Sequence, residues 1–276
     1  MKKLLLAVCC SLSFPAFADL KLPAPSPGAK VMQTAGLTDI TIDYSAPAVK
    51  GRKIWGGLVP YDQVWRSGAN KATNITFSQP VVIDGKDVPA GTYSFFTIPG
   101  QKTWTLVLNK NAEQWGGFNY DQSTDLLRMT VTPQAVPMRE RLAYAVTNFT
   151  NDAANIDLEW EKLRVTLPVK LKTAEQAEKN IVQADGAAWQ PMNNAARYYL
   201  EVKDWAKGLA AVDKSIATKE TWLNVWVKAQ LLAGSGKVKD AYPLAEKAQT
   251  LGAAVPPAEF FYSEDVKKAL KEWKGK

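Results

Sequence analysis

Between Ser45 and Lys71 the chain sets Lys50, Arg52, Lys53, Arg66 and Lys71 against a single acid, Asp62, and places Trp55, Tyr61 and Trp65 among them. Rings beside cations suit a carbohydrate or a small anionic ligand. The rings stack, and an arginine offers carboxylate or phosphate a planar fork of donors. The candidate ligand contacts here are Arg52, Lys53, Trp65, Arg66 and Asn70, with Tyr44 just ahead of them. A second aromatic segment runs from Asn109 to Asp125 and contains Trp115-Gly116-Gly117-Phe118-Asn119-Tyr120, in which Trp115 and Tyr120 are candidates for stacking on a sugar. Each segment also has an architectural reading. Trp55, Leu58, Val59 and Trp65 would plug the open end of a β domain while the cations stay solvated. The second segment would fold its aromatics over the core.

Other chemistry is narrowed by what is missing. The 276 residues contain no histidine, and the two cysteines, Cys9 and Cys10, lie in the first ten positions. A Ser-His-Asp triad, an imidazole base and a thiolate zinc site therefore find no residues beyond that start. Catalysis would fall to paired carboxylates, as in glycoside hydrolysis, or to a Lys or Tyr base. Asp157, Glu159 and Glu161 alternate along one apparent strand and so share a face, which reads first as a solvated strand face. Asp121 with Asp125, or Asp152 with Asn155 and Asp157, offer oxygens, but neither set has the dense spacing of a calcium loop, so no metal site is assigned. No glycine-rich phosphate loop or dinucleotide fingerprint occurs, and no cofactor is expected. The reading that follows is a non-catalytic binding or scaffolding protein, with a carboxylate-dependent hydrolase of envelope carbohydrate as the alternative.

The first residues point to a compartment. Met1-Lys2-Lys3, the apolar run Leu4 to Cys10, and Ala16-Phe17-Ala18 before Asp19 have the form of a secretory signal peptide cleaved between Ala18 and Asp19. The expected destination is the periplasm, with release from the cell as the second choice. Lipidation is disfavoured because Val8 precedes Cys9 where a small residue is wanted. The mature 258 residues suffice for one or two cores without disulfides. Their net charge is +5, spread without a basic block, so neither nucleic acid nor a membrane span is expected.

The elements that must position these residues change character near Leu171. From residue 31 to 170 the apolar period is two. Ile40, Ile42 and Tyr44 alternate with polar neighbours, as do Thr73, Ile75 and Phe77; Trp104, Leu106 and Leu108; Leu127, Met129 and Val131; and Ile156, Leu158 and Trp160. Asp84-Gly85 marks a tight hairpin, and Pro99-Gly100 a turn. From Thr173 to the C-terminus the period becomes helical, opening on a Thr173–Gln176 capping box and broken near Lys203, Ala217 and Gly234-Ser235-Gly236. Gly208 and Ala241 are 33 residues apart, as are Ala196 and Ala229, close to the 34-residue period of tetratricopeptide helix pairs. Two such units are fewer than usually stand alone, so a further helix pair or the β domain should support them. Trp222 and Trp226 share one helical face and are the candidate contacts for a protein partner. The predicted fold is α+β and multidomain: signal peptide 1–18, a flexible segment 19–30, an antiparallel β-sandwich 31–170 and a tetratricopeptide-like helical bundle 173–276.

One resemblance is specific. Gly36-Leu37-Thr38-Asp39 through Tyr44-Ser45, Val49-Lys50-Gly51-Arg52-Lys53-Ile54, Gly57-Leu58-Val59-Pro60-Tyr61 and Val64-Trp65-Arg66-Ser67-Gly68-Ala69-Asn70 resemble domain-of-unknown-function family 2911, over residues ~31–168. So do Pro89-Ala90-Gly91-Thr92-Tyr93, Phe96-Thr97-Ile98-Pro99 and Trp115-Gly116. The resemblance implies an exported β domain and supplies no activity. It concentrates on the Ser45–Lys71 segment.

Overall fold

A computed structural model describes residues 22–184 and 188–276. The expected signal peptide and its cleavage point lie outside the described residues. The chain divides between Leu171 and Lys172 into a β unit and a helical unit.

The β unit holds β1 (Gly28–Ala35), β2 (Thr38–Ser45), β3 (Thr73–Phe77), β4 (Val81–Ile83), β5 (Lys86–Val88), β6 (Gly91–Pro99), β7 (Trp104–Asn109), β8 (Asp125–Val131), β9 (Gln134–Thr147) and β10 (Ala153–Leu171). They form two antiparallel sheets in the orders β1-β2-β3-β6-β7-β8 and β5-β4-β10-β9. Strict alternation in β2 buries Thr38, Ile40 and Ile42 on one face, as the period of two requires. Ile75, Phe77, Phe95 and Leu106 of the first sheet join Ile83, Tyr144, Leu158 and Leu167 of the second in one apolar core. The Asp84-Gly85 turn is made as expected: both residues have positive φ, and Ile83 pairs with Lys86. β1 opens inside the segment expected to be flexible, because Gly28, Ala29 and Lys30 pair with Ser45, Tyr44 and Asp43.

The helical unit holds α1 (Thr173–Gln183), α2 (Trp189–Glu201), α3 (Trp205–Thr218), α4 (Trp222–Gly234), α5 (Val238–Ala253) and α6 (Ser263–Trp273). The 33-residue offset relates α2 to α4 through Ala196 and Ala229, and α3 to α5 through Gly208 and Ala241. Ala196, Ala229 and Ala241 are fully buried. A Cβ on Gly208 would come within 2.4 Å of Leu231, so the α3–α4 approach depends on that glycine. The supporting elements are α1 and α6. Glu178 of α1 accepts the Tyr199 hydroxyl at 2.8 Å and the Lys207 ammonium at 2.6 Å, tying α1 to α2 and α3. Burial, reinforced by that carboxylate, pushes the Tyr199 phenol up to about 12. The capping box expected at Thr173 is not made: Lys172 occupies the cap position without a side-chain cap bond. A reciprocal box forms instead at α4, between Thr221 and Asn224. Among the described residues no helix is long and apolar enough to cross a membrane.

Candidate functional site

The Ser45–Lys71 segment is mostly a plug. Val49, Ile54, Trp55, Val59 and Trp65 are buried in the sandwich core. Trp55 meets Trp104 edge-on at 4.7 Å and Trp160 at 5.8 Å, while Trp65 stacks on Trp160 at 5.8 Å. Trp65 is therefore corrected from ligand contact to core residue, and its indole N–H donates to the Gly68 carbonyl at 3.1 Å. Leu58, grouped with the plug, stays about half exposed. Arg52 turns back on its own loop, donating to the carbonyls of Val49 and Ala48. Lys53 is exposed. Those two cations line neither of the two clefts described below.

The last part of this segment meets the second candidate loop. Ala72 N–H donates to Gln114 O at 2.9 Å, Gly116 N–H to Asn70 O at 3.1 Å, and Lys71 bridges to Trp115. Beside this junction lies an open cleft of about 400 Å³ lined by Tyr44 and Ser45 from β2, Lys30 from β1, and Asn70, Lys71 and Asn74. That volume is in the range of small-ligand sites. Asn70 holds a left-handed backbone (φ 57°), and its carboxamide donates to Ser45 Oγ at 3.2 Å and Ser26 O at 3.3 Å. Tyr44 is braced edge-on against Tyr144 at 4.9 Å. Trp115 stands directly across the bridge from Lys71 and is 63 % exposed. Phe118, two residues beyond Gly116, is 89 % exposed.

The base of the second loop is polar and buried. Asn109, fully buried, donates to Asp121 O, Thr124 Oγ1 and Asp125 Oδ1 at 2.8–3.1 Å, and its Oδ1 accepts from Gln114 at 2.9 Å. Tyr120 belongs to this base. Its hydroxyl donates to Asp125 Oδ2 at 2.5 Å, Arg128 donates to both, and the ring packs edge-on against Phe96 at 5.2 Å. Burial and then the Asp125 carboxylate raise the Tyr120 phenol far above its ordinary range. Tyr120, partly buried, thus anchors the base of the loop.

The acids are engaged. Asp157 is buried and accepts from Thr147 at 2.7 Å and Thr166 at 2.6 Å. Glu159 pairs with Arg139 at 2.7 Å and with Arg164. Partial burial pushes the Glu159 carboxyl up, but the hydrogen bonds from Arg164 and Arg139 outweigh it and hold the group below the usual carboxylate range. A glycosidase acid needs the opposite shift. Glu161 leaves the shared face expected of it, because register shifts flank it and its φ is 56°. The single acid lining the cleft, Asp43, pairs with Lys30 at 3.3 Å. A second concavity of about 810 Å³ contains Glu140 and Glu159 beside Arg139, Arg141 and Arg164. Its Glu140 accepts the Lys50 N–H at 2.9 Å. Among the described residues no group of three or more acids could hold a metal ion.

Trp222 and Trp226, expected to offer a groove to a partner, are 8 % and 3 % exposed. The chain covers them itself. Trp222 packs against Phe260, Phe261 and Tyr262 at 4.9–6.3 Å, and Trp226 stacks on Trp273 at 5.9 Å. They are core residues of the helical unit. The sequence reading missed Lys30, Lys71 and Asn74 as cleft residues. Lys71 was visible as a cation, but only the pairing of β1 with β2 brings Lys30 to the same place.

No curated protein and no solved structure matches the chain. The family described as "Protein of unknown function (DUF2911)" matches residues 26–169, just over half of the chain and nearly all of the β unit, and the chain belongs to that family.

Proposed function

We propose that this is an exported envelope protein whose β unit binds a glycan, without catalysis, at the cleft beside the loop junction. The observation that carries this reading is the placement of Trp115. An indole two-thirds exposed stands across a backbone bridge from Lys71, which itself lines the cleft together with Tyr44 and Asn70. A flat ring suits the apolar face of a sugar. Carboxamides and hydroxyls match sugar hydroxyls as donors and acceptors. Lys71 favours a sugar that carries a carboxylate, since Asp43 already pairs with Lys30. The signal-peptide pattern supports export to the periplasm. N-terminal sequencing of the protein recovered from a periplasmic fraction tests that part, with Asp19 as the expected first residue.

The helical unit is read as a scaffold for a protein partner, the usual use of stacked helix pairs. Its contact surface is not the Trp222–Trp226 face.

The binding reading is tested by thermal-shift titration of the mature protein with neutral and acidic oligosaccharides. A ligand of the folded state raises the melting temperature in a saturable way. Trp115→Ala is expected to weaken the response at least tenfold, about 1.4 kcal/mol. A chain that responds to no oligosaccharide contradicts the reading.

A further inference from the structure

Six of the seven arginines have partners. Arg128, Arg139 and Arg164 meet carboxylates, Arg52 and Arg141 donate to backbone carbonyls, and Arg197 donates to a tyrosine hydroxyl. Arg66 is the exception. Its Nε is buried without a hydrogen-bond partner, and its guanidinium makes no ion pair among the described residues. Burial alone lowers its pKa, with no acidic neighbour to offset the loss of water. A desolvated charge without a counter-charge is costly, and chains usually pair such groups internally.

The backbone on either side of this cation is locked. Trp65 exchanges both of its backbone hydrogen bonds with Thr97, at 2.8 and 2.9 Å. The Ser67 carbonyl accepts the Tyr144 hydroxyl at 2.8 Å and the Thr73 hydroxyl at 2.9 Å. Ser67 is wholly buried with φ at 54°, a left-handed backbone that a non-glycine residue holds only where its surroundings over-determine it. Trp65 belongs to the sandwich core, while Val64 just before it packs against Phe96 and Val107, and Arg66 follows directly on the chain. Arg66 is only partly buried there, so a solute can reach it.

We infer that Arg66 anchors an oxyanion site on the β unit, receiving the carboxylate or phosphate group of a small ligand. A guanidinium presents paired N–H donors that match either group. Because its backbone is fixed beforehand, binding orders little further and loses little affinity to ordering. Arg66 does not line the cleft at Tyr44 and Asn70, so the site is separate from the proposed glycan surface and stands or falls without it.

The test is a thermal-shift and calorimetric titration of the mature protein with inorganic phosphate and with acetate, each against sodium chloride of equal ionic strength. At least one oxyanion is expected to give a saturable rise, and the arm that responds names the chemistry. Arg66→Lys should weaken binding at least tenfold and Arg66→Met abolish it, while Trp115→Ala leaves it intact. In oxyanion-free buffer Arg66→Met should melt no lower than wild type, because it removes an uncompensated charge. Equal responses in wild type and Arg66→Met, or no saturable response to either anion, overturn the proposal. So does a fall of several degrees in Arg66→Met that Arg66→Lys restores, which would make Arg66 structural.

Discussion

The two aromatic loops of the β unit carry the same residue types and use them in opposite ways. In the Ser45–Lys71 segment Trp55 and Trp65 are 8 % exposed, while Lys50, Arg52, Lys53 and Lys71 are exposed and only Arg66 among the cations is partly buried. In the Asn109–Asp125 segment the buried side chains are those of Asn109 and Gln114, while Trp115 and Phe118 stand in solvent. The first arrangement follows from the hydrophobic effect and is what an unremarkable core segment does. The second reverses it. A buried carboxamide is retained because every one of its polar atoms is hydrogen-bonded, and the network holds the loop in one shape. Apolar rings left outside a rigid loop give up their burial energy, and a partner that covers them recovers it. The contrast separates a loop that closes a fold from a loop that presents a surface.

The largest effect that would break this comparison lies in the plug. Trp55→Ala and Trp160→Ala each remove one indole from the four-tryptophan cluster, and each should cost about 3–5 kcal/mol in denaturant unfolding. A loss under 1 kcal/mol would mean that the segment is not core. Next comes the polar base. Asn109→Ala removes the carboxamide that ties Asp121, Thr124, Asp125 and Gln114 together and should cost about 1–3 kcal/mol, with Gln114 keeping its bond to Asn111 O and the Asp121 carbonyl its bond from Thr124. It should also free the loop that carries Trp115, which faster hydrogen exchange of the loop amides would report.

A smaller effect is set by acid. The folded state favours the Glu159 carboxylate, so its stabilising contribution is complete above the ordinary glutamate range, about pH 4.3, and is lost as pH falls through the lower folded value. Glu159→Gln should flatten the stability profile below about pH 4.5 without changing its shape near neutrality. An unchanged acid limb would show that Arg139 and Arg164 do not stabilise that carboxylate. The smallest expected change in stability is at Trp115, where truncation of an exposed ring should shift unfolding by less than about 0.5 kcal/mol.

Most of the β unit was legible from alternation, because β2 and β3 bury alternate residues, and Trp104, Leu106 and Leu108 of β7 and Ile156, Leu158 and Trp160 of β10 join the same core at a spacing of two. β1 and β9 escaped for the same physical reason. β1 buries only Ala35 fully, and the first eight residues of β9 are almost wholly exposed and include Pro137, so neither carries the apolar period that marks a strand. The helix pairs were legible from their small residues, Ala196, Gly208, Ala229 and Ala241, whose spacing is imposed by close approach. The site was half legible. Sequence could find rings and cations but could not tell which side of the chain they would take. Trp65 and Trp115 both follow irregular stretches, and their fates were decided by pairing with Thr97 in one case and Lys71 in the other. Trp222 and Trp226 were placed on one face as the helical period requires, but Phe260 and Trp273, far along the chain, return to cover them.

The central claim is that the second loop presents Trp115 to a ligand while the first loop holds the fold. It is tested most directly by calorimetric titration of wild type and Trp115→Ala with the same acidic oligosaccharide, alongside their melting temperatures. The account predicts binding by wild type, at least tenfold weaker binding by Trp115→Ala, and melting temperatures within about 2 °C of each other. Equal affinities, or no binding together with a melting temperature several degrees lower in Trp115→Ala, would contradict it.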